Sequence, residues 1–170
     1  YFGEEFNQRV MAHVENGEPY HQLLSGRRSF MNGPLTHFFR HQSQLFDNIP
    51  LTPGVVDEAR LPDLEANQVD VWEEVALPEH HAGVLTSPVF LARFQTNRAR
   101  ANRFYDAFLC QPFQPPPGGL PFDDAEAAQE PDLQLRTGCN YCHALLEPAA
   151  AHWGRWTQQG GGFLAPDDYP

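Results

Sequence analysis

Prolines interrupt this chain so often that long helices are excluded. Sixteen prolines are spread over 170 residues, and each removes a backbone N–H donor and clashes with the preceding turn of a helix. Between these breaks, apolar residues recur at spacings of three and four, as on one face of a helix. Hydrophobic residues make up 41% of the chain, enough for a real core. We therefore predict a mainly α fold of short helices joined by long, Pro-rich loops.

The apolar spacing also places the individual elements. From Phe2 to Val14 the apolar residues step by four, so they share one face of a first helix. Further helices are predicted at Tyr20–Leu24, at Gly33–Leu45, after the Ser87-Pro88 pair, and from an N-cap at Asn97 to Leu109. The alternating stretch Val69–Trp72 predicts a single strand.

The run Cys139-Asn140-Tyr141-Cys142-His143 carries the most specific chemistry in the sequence. In C-x-x-C-H, two thiols can bond the vinyl groups of one haem while the adjacent imidazole reaches the iron. On a helix the two sulfurs lie one turn apart, so both can face one edge of the porphyrin. The motif predicts one covalently bound haem c.

Two other interpretations of the motif stay open. A Cys-x-x-Cys pair also forms thiol-disulfide couples, although no strand-helix-strand pattern precedes it here. A structural zinc ion is a second alternative, with Cys139, Cys142, His143 and the remaining thiol, Cys110, as ligands. Zinc sites usually draw on a second closely spaced ligand pair, and the sequence offers none.

The haem hypothesis assigns ligands to the iron. His143 is expected to ligate through Nε2, with its Nδ1–H bonded to a backbone carbonyl that fixes the tautomer. For the opposite face we favour Met31, because the glycine-containing loop after it can bring a thioether close to iron. His37, His41 and His21 are alternatives, and a five-coordinate iron is another.

Three further residues are expected at the haem. Tyr141, inside the motif, is a candidate for the apolar wall that excludes water from the ring. Arg136 and Arg155 lie close to the motif in sequence and are candidates for binding the propionates.

The net charge of the chain limits the kinds of molecule expected to bind it. The formal net charge is −11, and every basic residue is Arg. Such a surface repels nucleic acid and anionic lipid, so a redox protein or a larger protein complex is the expected partner. The sequence has no apolar stretch of about twenty residues, so we predict no membrane span.

We divide the chain into a helical companion region at 1–110 and a haem-binding region at 111–170, after a Pro/Gly-rich linker.

A family resemblance covers most of the chain. The stretch Ala82–Leu91, the Arg-rich helix ending in Cys110, the proline run at 115–117, and Cys139-x-x-Cys142-His143 followed by Leu146-Glu147-Pro148 come in a characteristic order. In these features the chain resembles the secreted cytochrome-type proteins of planctomycetes and myxobacteria, which carry adjoining domains of unknown function. This sequence departs from them after Pro148, where alanines replace the usual glycine.

The resemblance implies a mostly helical haem-c protein outside the cytoplasm, and a chain that is a fragment of a longer polypeptide. With the motif, it leads us to expect a cytochrome-c-like C-terminal part in a periplasmic or extracellular electron carrier, not an enzyme, within a larger assembly. A haem enzyme or ligand sensor with an open coordination position is the alternative, as is a zinc- or disulfide-held structural module.

Overall fold

Short helices carry most of the regular structure. The computed structural model describes residues 1–45, 56, 58–115, 117–119, 129–158 and 163–164, the side chains of 42–45 excepted. The α-helices are α1 (Phe2–Glu15), α2 (Tyr20–Ser25), α3 (Gly33–Leu45), α4 (Pro88–Arg93), α5 (Asn97–Leu109) and α6 (Asn140–Ala150). Single 3-10 turns lie at Glu58–Arg60, Gly83–Thr86 and Ala151–Trp153. The prediction of a mainly α protein is confirmed, and no helix in the described ranges is long and apolar enough to cross a bilayer.

Local capping signals fix where α4 and α5 begin. The Ser87 hydroxyl accepts the backbone N–H of Phe90 at 3.2 Å, and a proline occupies the first position of α4, as predicted. At α5 the cap is Thr96 rather than the predicted Asn97, which is instead the first helical residue. The helix itself is confirmed.

The strands form one small antiparallel sheet. β1 (Arg28–Met31) pairs with β2 (Glu73–Ala76), and Met31 lies opposite Glu73. The prediction of a strand at Val69–Trp72 is wrong, because β2 begins just after it. Both valines of that stretch are more than a third exposed, so their alternation does not mark a buried face. β1 was not predicted.

The chain divides into two compact units. Unit 1 comprises Tyr1–Gln95 with Arg155–Pro170, and unit 2 comprises Thr96–Gly154. This division differs from the predicted boundary at residue 110, because α5 packs against α6 and therefore belongs with the motif helix. Residues 116 and 120–128 of the predicted linker lie outside the described residues.

In unit 1, helix α1 buries its polar side. The apolar face recognised in the sequence is only partly covered: Phe6 is 40% and Val14 66% exposed, whereas Phe2 and Val10 are half-buried. The buried residues of α1 are instead Glu5, Arg9 and His13. The helix was predicted correctly, but its apolar pattern does not show which side faces the core.

Unit 2 is built on the pairing of α5 with α6. Ala101 on α5 and Leu146 on α6 are buried, as is Trp153 in the 3-10 turn that follows α6. The Phe104 ring meets the Trp153 indole with centroids 6.4 Å apart. This packing fixes α6, and with it the Cys139–His143 segment, against α5.

Candidate functional site

The motif lies at the start of α6. Gly138 has a φ of 82°, a left-handed conformation that favours glycine and turns the chain into the helix. Cys139 is the N-cap residue, and its carbonyl accepts the N–H groups of Cys142 at 3.2 Å and of His143 at 3.0 Å. The two cysteines are therefore held within one turn, which is the spacing that two thioether bonds to one porphyrin require.

The thiols of the motif are partly accessible. Cys139 and Cys142 are both half-buried and carry free thiols. The third thiol, Cys110, is exposed at the C-terminal end of α5. It takes a left-handed backbone conformation with a φ of 53°, which is uncommon for a residue with a side chain.

The His143 ring is held by a carboxylate. Its Nδ1 lies 2.6 Å from Oε1 of Glu147, one turn further along α6. An ionised carboxylate only accepts hydrogen bonds, so Nδ1 donates to it, and in the neutral imidazole Nε2 is then the nitrogen whose lone pair can ligate a metal. No described residue forms a hydrogen bond with Nε2. The expected partner of Nδ1 was a backbone carbonyl, and the structure supplies a charged acceptor in its place.

Glu147 is itself anchored from the neighbouring helix. Nε of Arg98 on α5 donates to the same Oε1 at 2.6 Å. Burial raises the pKa of the Glu147 carboxyl, but the hydrogen bonds from His143 and Arg98 lower it by more, so its pKa lies below the ordinary 4.5. Glu147 is therefore ionised at neutral pH.

Apolar side chains beside the motif are exposed. Tyr141 is 57% and Leu145 55% exposed, and they lie four residues apart on α6. Leu135 before the helix and Leu109 at the end of α5 are exposed as well. Of these, Tyr141 and Leu145 share one side of α6, so they offer a small apolar surface next to the motif. Two thiols, an imidazole with a free Nε2 and an apolar surface are the groups that a covalent haem needs, so the residues present fit that cofactor.

The two arginines predicted at the propionates have other partners. Nε of Arg136 donates to the Glu130 carbonyl at 2.7 Å, in the turns that lead into α6. Arg155 belongs to unit 1, where its guanidinium donates twice to the Leu164 carbonyl and lies over the Phe163 ring, 4.3 Å from the centroid. Binding of the haem propionates by Arg136 and Arg155 therefore stays a prediction.

The candidates for the second axial position all belong to unit 1. Met31 is fully buried at the end of β1, which is the environment of a core side chain. His37 and His41 lie one turn apart on α3 with ring centroids 4.4 Å apart, and His21 lies on α2. The structure gathers Cys139, Cys142 and His143 in unit 2, and the choice of distal ligand stays a prediction.

Sequence reasoning did not single out Glu147 and Arg98 as the side chains that hold the His143 ring. Glu147 had a usable signal, because a residue four positions after a histidine on a helix lies beside it. Arg98 had no such signal, since it lies 49 positions from Glu147 and no sequence pattern pairs residues at that separation.

Comparisons of the chain with protein-family models, curated proteins and solved structures find no match. Among the residues that the structure describes, no group of three or more His, Cys, Asp or Glu side chains is placed to hold a metal ion.

Proposed function

We propose that this chain is a c-type cytochrome, which carries electrons through one haem bound covalently to Cys139 and Cys142 and ligated by His143. The observation that carries this proposal is the geometry of the first turn of α6. Two free thiols lie one turn apart there, and the adjacent imidazole is fixed in the tautomer that leaves Nε2 available.

The residues of unit 2 have distinct parts in this function. Cys139 and Cys142 would hold haem through two thioether bonds, each formed when S–H adds across one vinyl group, with no loss of atoms and no net oxidation. Glu147 orients the His143 ring, and Tyr141 and Leu145, which are exposed beside the motif, would help exclude water from a bound haem. Bound haem would supply one-electron exchange at iron without bonding a substrate.

The proposal extends to location and partners. Haem is attached to C-x-x-C-H motifs outside the bacterial cytoplasm, so the protein functions in the periplasm or beyond the cell, as a domain or subunit of a larger assembly. A formal charge of −11 favours redox partners with a neutral or basic docking surface.

Visible spectroscopy of single-cysteine variants tests the proposal. The full chain is produced in cells equipped for haem attachment, as wild type and as Cys139→Ala, Cys142→Ala and Cys110→Ala. Cys110 is the matched control, because it is an exposed thiol of the same unit outside the motif. We expect a haem c spectrum in wild type and the control. Each motif variant should lose one thioether bond, which shifts the α-band, and removing both thiols should abolish covalent haem.

The spectrum also separates the alternatives. A low-spin spectrum in both oxidation states fits an electron carrier with two axial ligands. A high-spin spectrum indicates an open coordination position and supports the enzyme or sensor instead. A colourless wild type contradicts the haem proposal and leaves the zinc or disulfide module.

A further inference from the structure

The contact of His143 with a charged acceptor has consequences for the haem proposed above. The Nδ1 to Oε1 distance of 2.6 Å to Glu147 is short even for a charge-assisted hydrogen bond. Both side chains are only about one-fifth exposed, at 21% and 22%, so water screens their interaction weakly.

We propose that Glu147 is a positioning residue that lowers the reduction potential of the haem iron, and that Arg98 limits this effect. The inference rests on the proposed function. An anionic carboxylate draws the Nδ1 proton more strongly than a backbone carbonyl does, which makes the ligating Nε2 more electron-rich. A more electron-rich ligand stabilises the oxidised iron, and so does the negative charge of the carboxylate itself.

Arg98 acts on the same oxygen in the opposite sense. Its Nε donates to Oε1 of Glu147 at 2.6 Å, so it competes with Nδ1 for the carboxylate's negative charge. Its own positive charge favours the reduced iron. Loss of Glu147's charge should therefore raise the potential, whereas loss of Arg98's charge should lower it.

Shifts of the reduction potential in opposite directions, on loss of the Glu147 charge and of the Arg98 charge, separate this role from a purely structural one. The pair also ties α5 to α6, and breaking that tie from either side would weaken the same contact. A structural tie predicts that substitution at either end alters stability in one direction and leaves the potential in place.

The test is a redox titration of the haem-loaded full chain as wild type, Glu147→Gln and Arg98→Gln. The matched controls are Asp106→Asn and Arg103→Gln, which remove the same charges from an exposed pair on α5 joined at 2.6 Å. At a fixed ambient potential, Glu147→Gln should raise the ratio of reduced to oxidised protein about tenfold, a change the size of the smaller effects that loss of a metal ligand's hydrogen-bond partner has on metal affinity or activity. For one electron, tenfold corresponds to about 59 mV.

Arg98→Gln should shift this ratio the other way, and each control should change it less than about twofold, because exposed charges are screened. Should Glu147→Gln fail to fold, Arg98→Gln still decides, since Arg98 is 55% exposed and we expect the fold to tolerate its replacement. Unchanged potentials, or shifts of the same sign in both variants, overturn the inference while the haem assignment stands. A wild type without haem overturns both.

Discussion

Glu5 provides the sharpest test of how unit 1 is held together. It is fully buried, and its Oε1 accepts hydrogen bonds from Nη2 of Arg9 at 2.9 Å and from the Ser29 hydroxyl at 2.7 Å. The backbone N–H of Phe30 reaches the same oxygen at 3.4 Å. One carboxylate therefore joins α1 to β1 and neutralises a buried guanidinium.

The cost of removing this carboxylate follows from what it leaves behind. Glu5→Leu strands the Arg9 guanidinium, which is 3% exposed, without its counter-charge. Breaking a buried ion pair from one side costs about 3–5 kcal/mol, so we expect the free energy of unfolding to fall by about 4 kcal/mol. Arg9→Met strands the carboxylate and should cost a similar amount.

The double variant shows whether the charges act as a pair. With both charges gone, the remaining cost is the loss of the Glu5 acceptor for the Ser29 hydroxyl and for the long bond from the Phe30 N–H, about 2 kcal/mol, because apolar replacement of a buried ion pair is often neutral. The measurement is equilibrium urea unfolding followed by circular dichroism for Glu5→Leu, Arg9→Met and the double variant. The control is a variant that lacks the exposed ion pair of Arg103 and Asp106. Its free energy of unfolding should fall by less than about 1 kcal/mol. The reasoning is refuted if Glu5→Leu costs no more than this control, or if the double variant costs the sum of the singles.

Three further predictions concern caps, close packing and pH. Ser87→Ala removes the cap of α4 and a hydroxyl that also donates to a backbone carbonyl, so thermal unfolding should show a loss of about 1–2 kcal/mol. Gly33→Ala puts a Cβ against a backbone carbonyl oxygen and should cost about 3 kcal/mol in urea unfolding, whereas Gly3→Ala meets no atom within 4 Å beyond its neighbours and its own helix backbone and should not destabilise α1. The Arg28 hydrogen bond holds the pKa of Glu18 below its ordinary 4.5, so its stabilisation is complete above that pH and lost as the pH falls through the lower folded pKa. Wild type should therefore lose stability below about pH 4.5 more steeply than Glu18→Gln, and equal slopes in an acid titration would contradict this.

Helix α1 shows how far local sequence patterns reach. Its four-residue apolar spacing is a local signal, and it predicted the helix to within one residue at each end. The buried side depends on Ser29 and Phe30, whose bonds to Glu5 join residues 24 and 25 positions apart. No pattern within α1 contains those partners, so the inward polar side was not predictable from it.

The difference between local patterns and long-range contacts also explains which parts of the sheet and of the candidate site could be predicted. β1 is four residues long and begins with Arg28, too short and too polar for its alternation to stand out. The Cys139–His143 motif is contiguous, so its placement on one helical turn followed directly from its spacing. Arg98 reaches Glu147 only because α5 packs on α6, a tertiary contact that no local pattern encodes.

The central claim is a covalent bond between haem and the two cysteines at the start of α6. Mass spectrometry of the intact chain, and then of its proteolytic peptides, measures that bond directly when the protein is made in cells that attach haem. We predict a chain heavier by the mass of one haem, all of it on the peptide that contains Cys139 and Cys142. A chain of unmodified mass, or an added mass that stays when both cysteines are replaced, would contradict it.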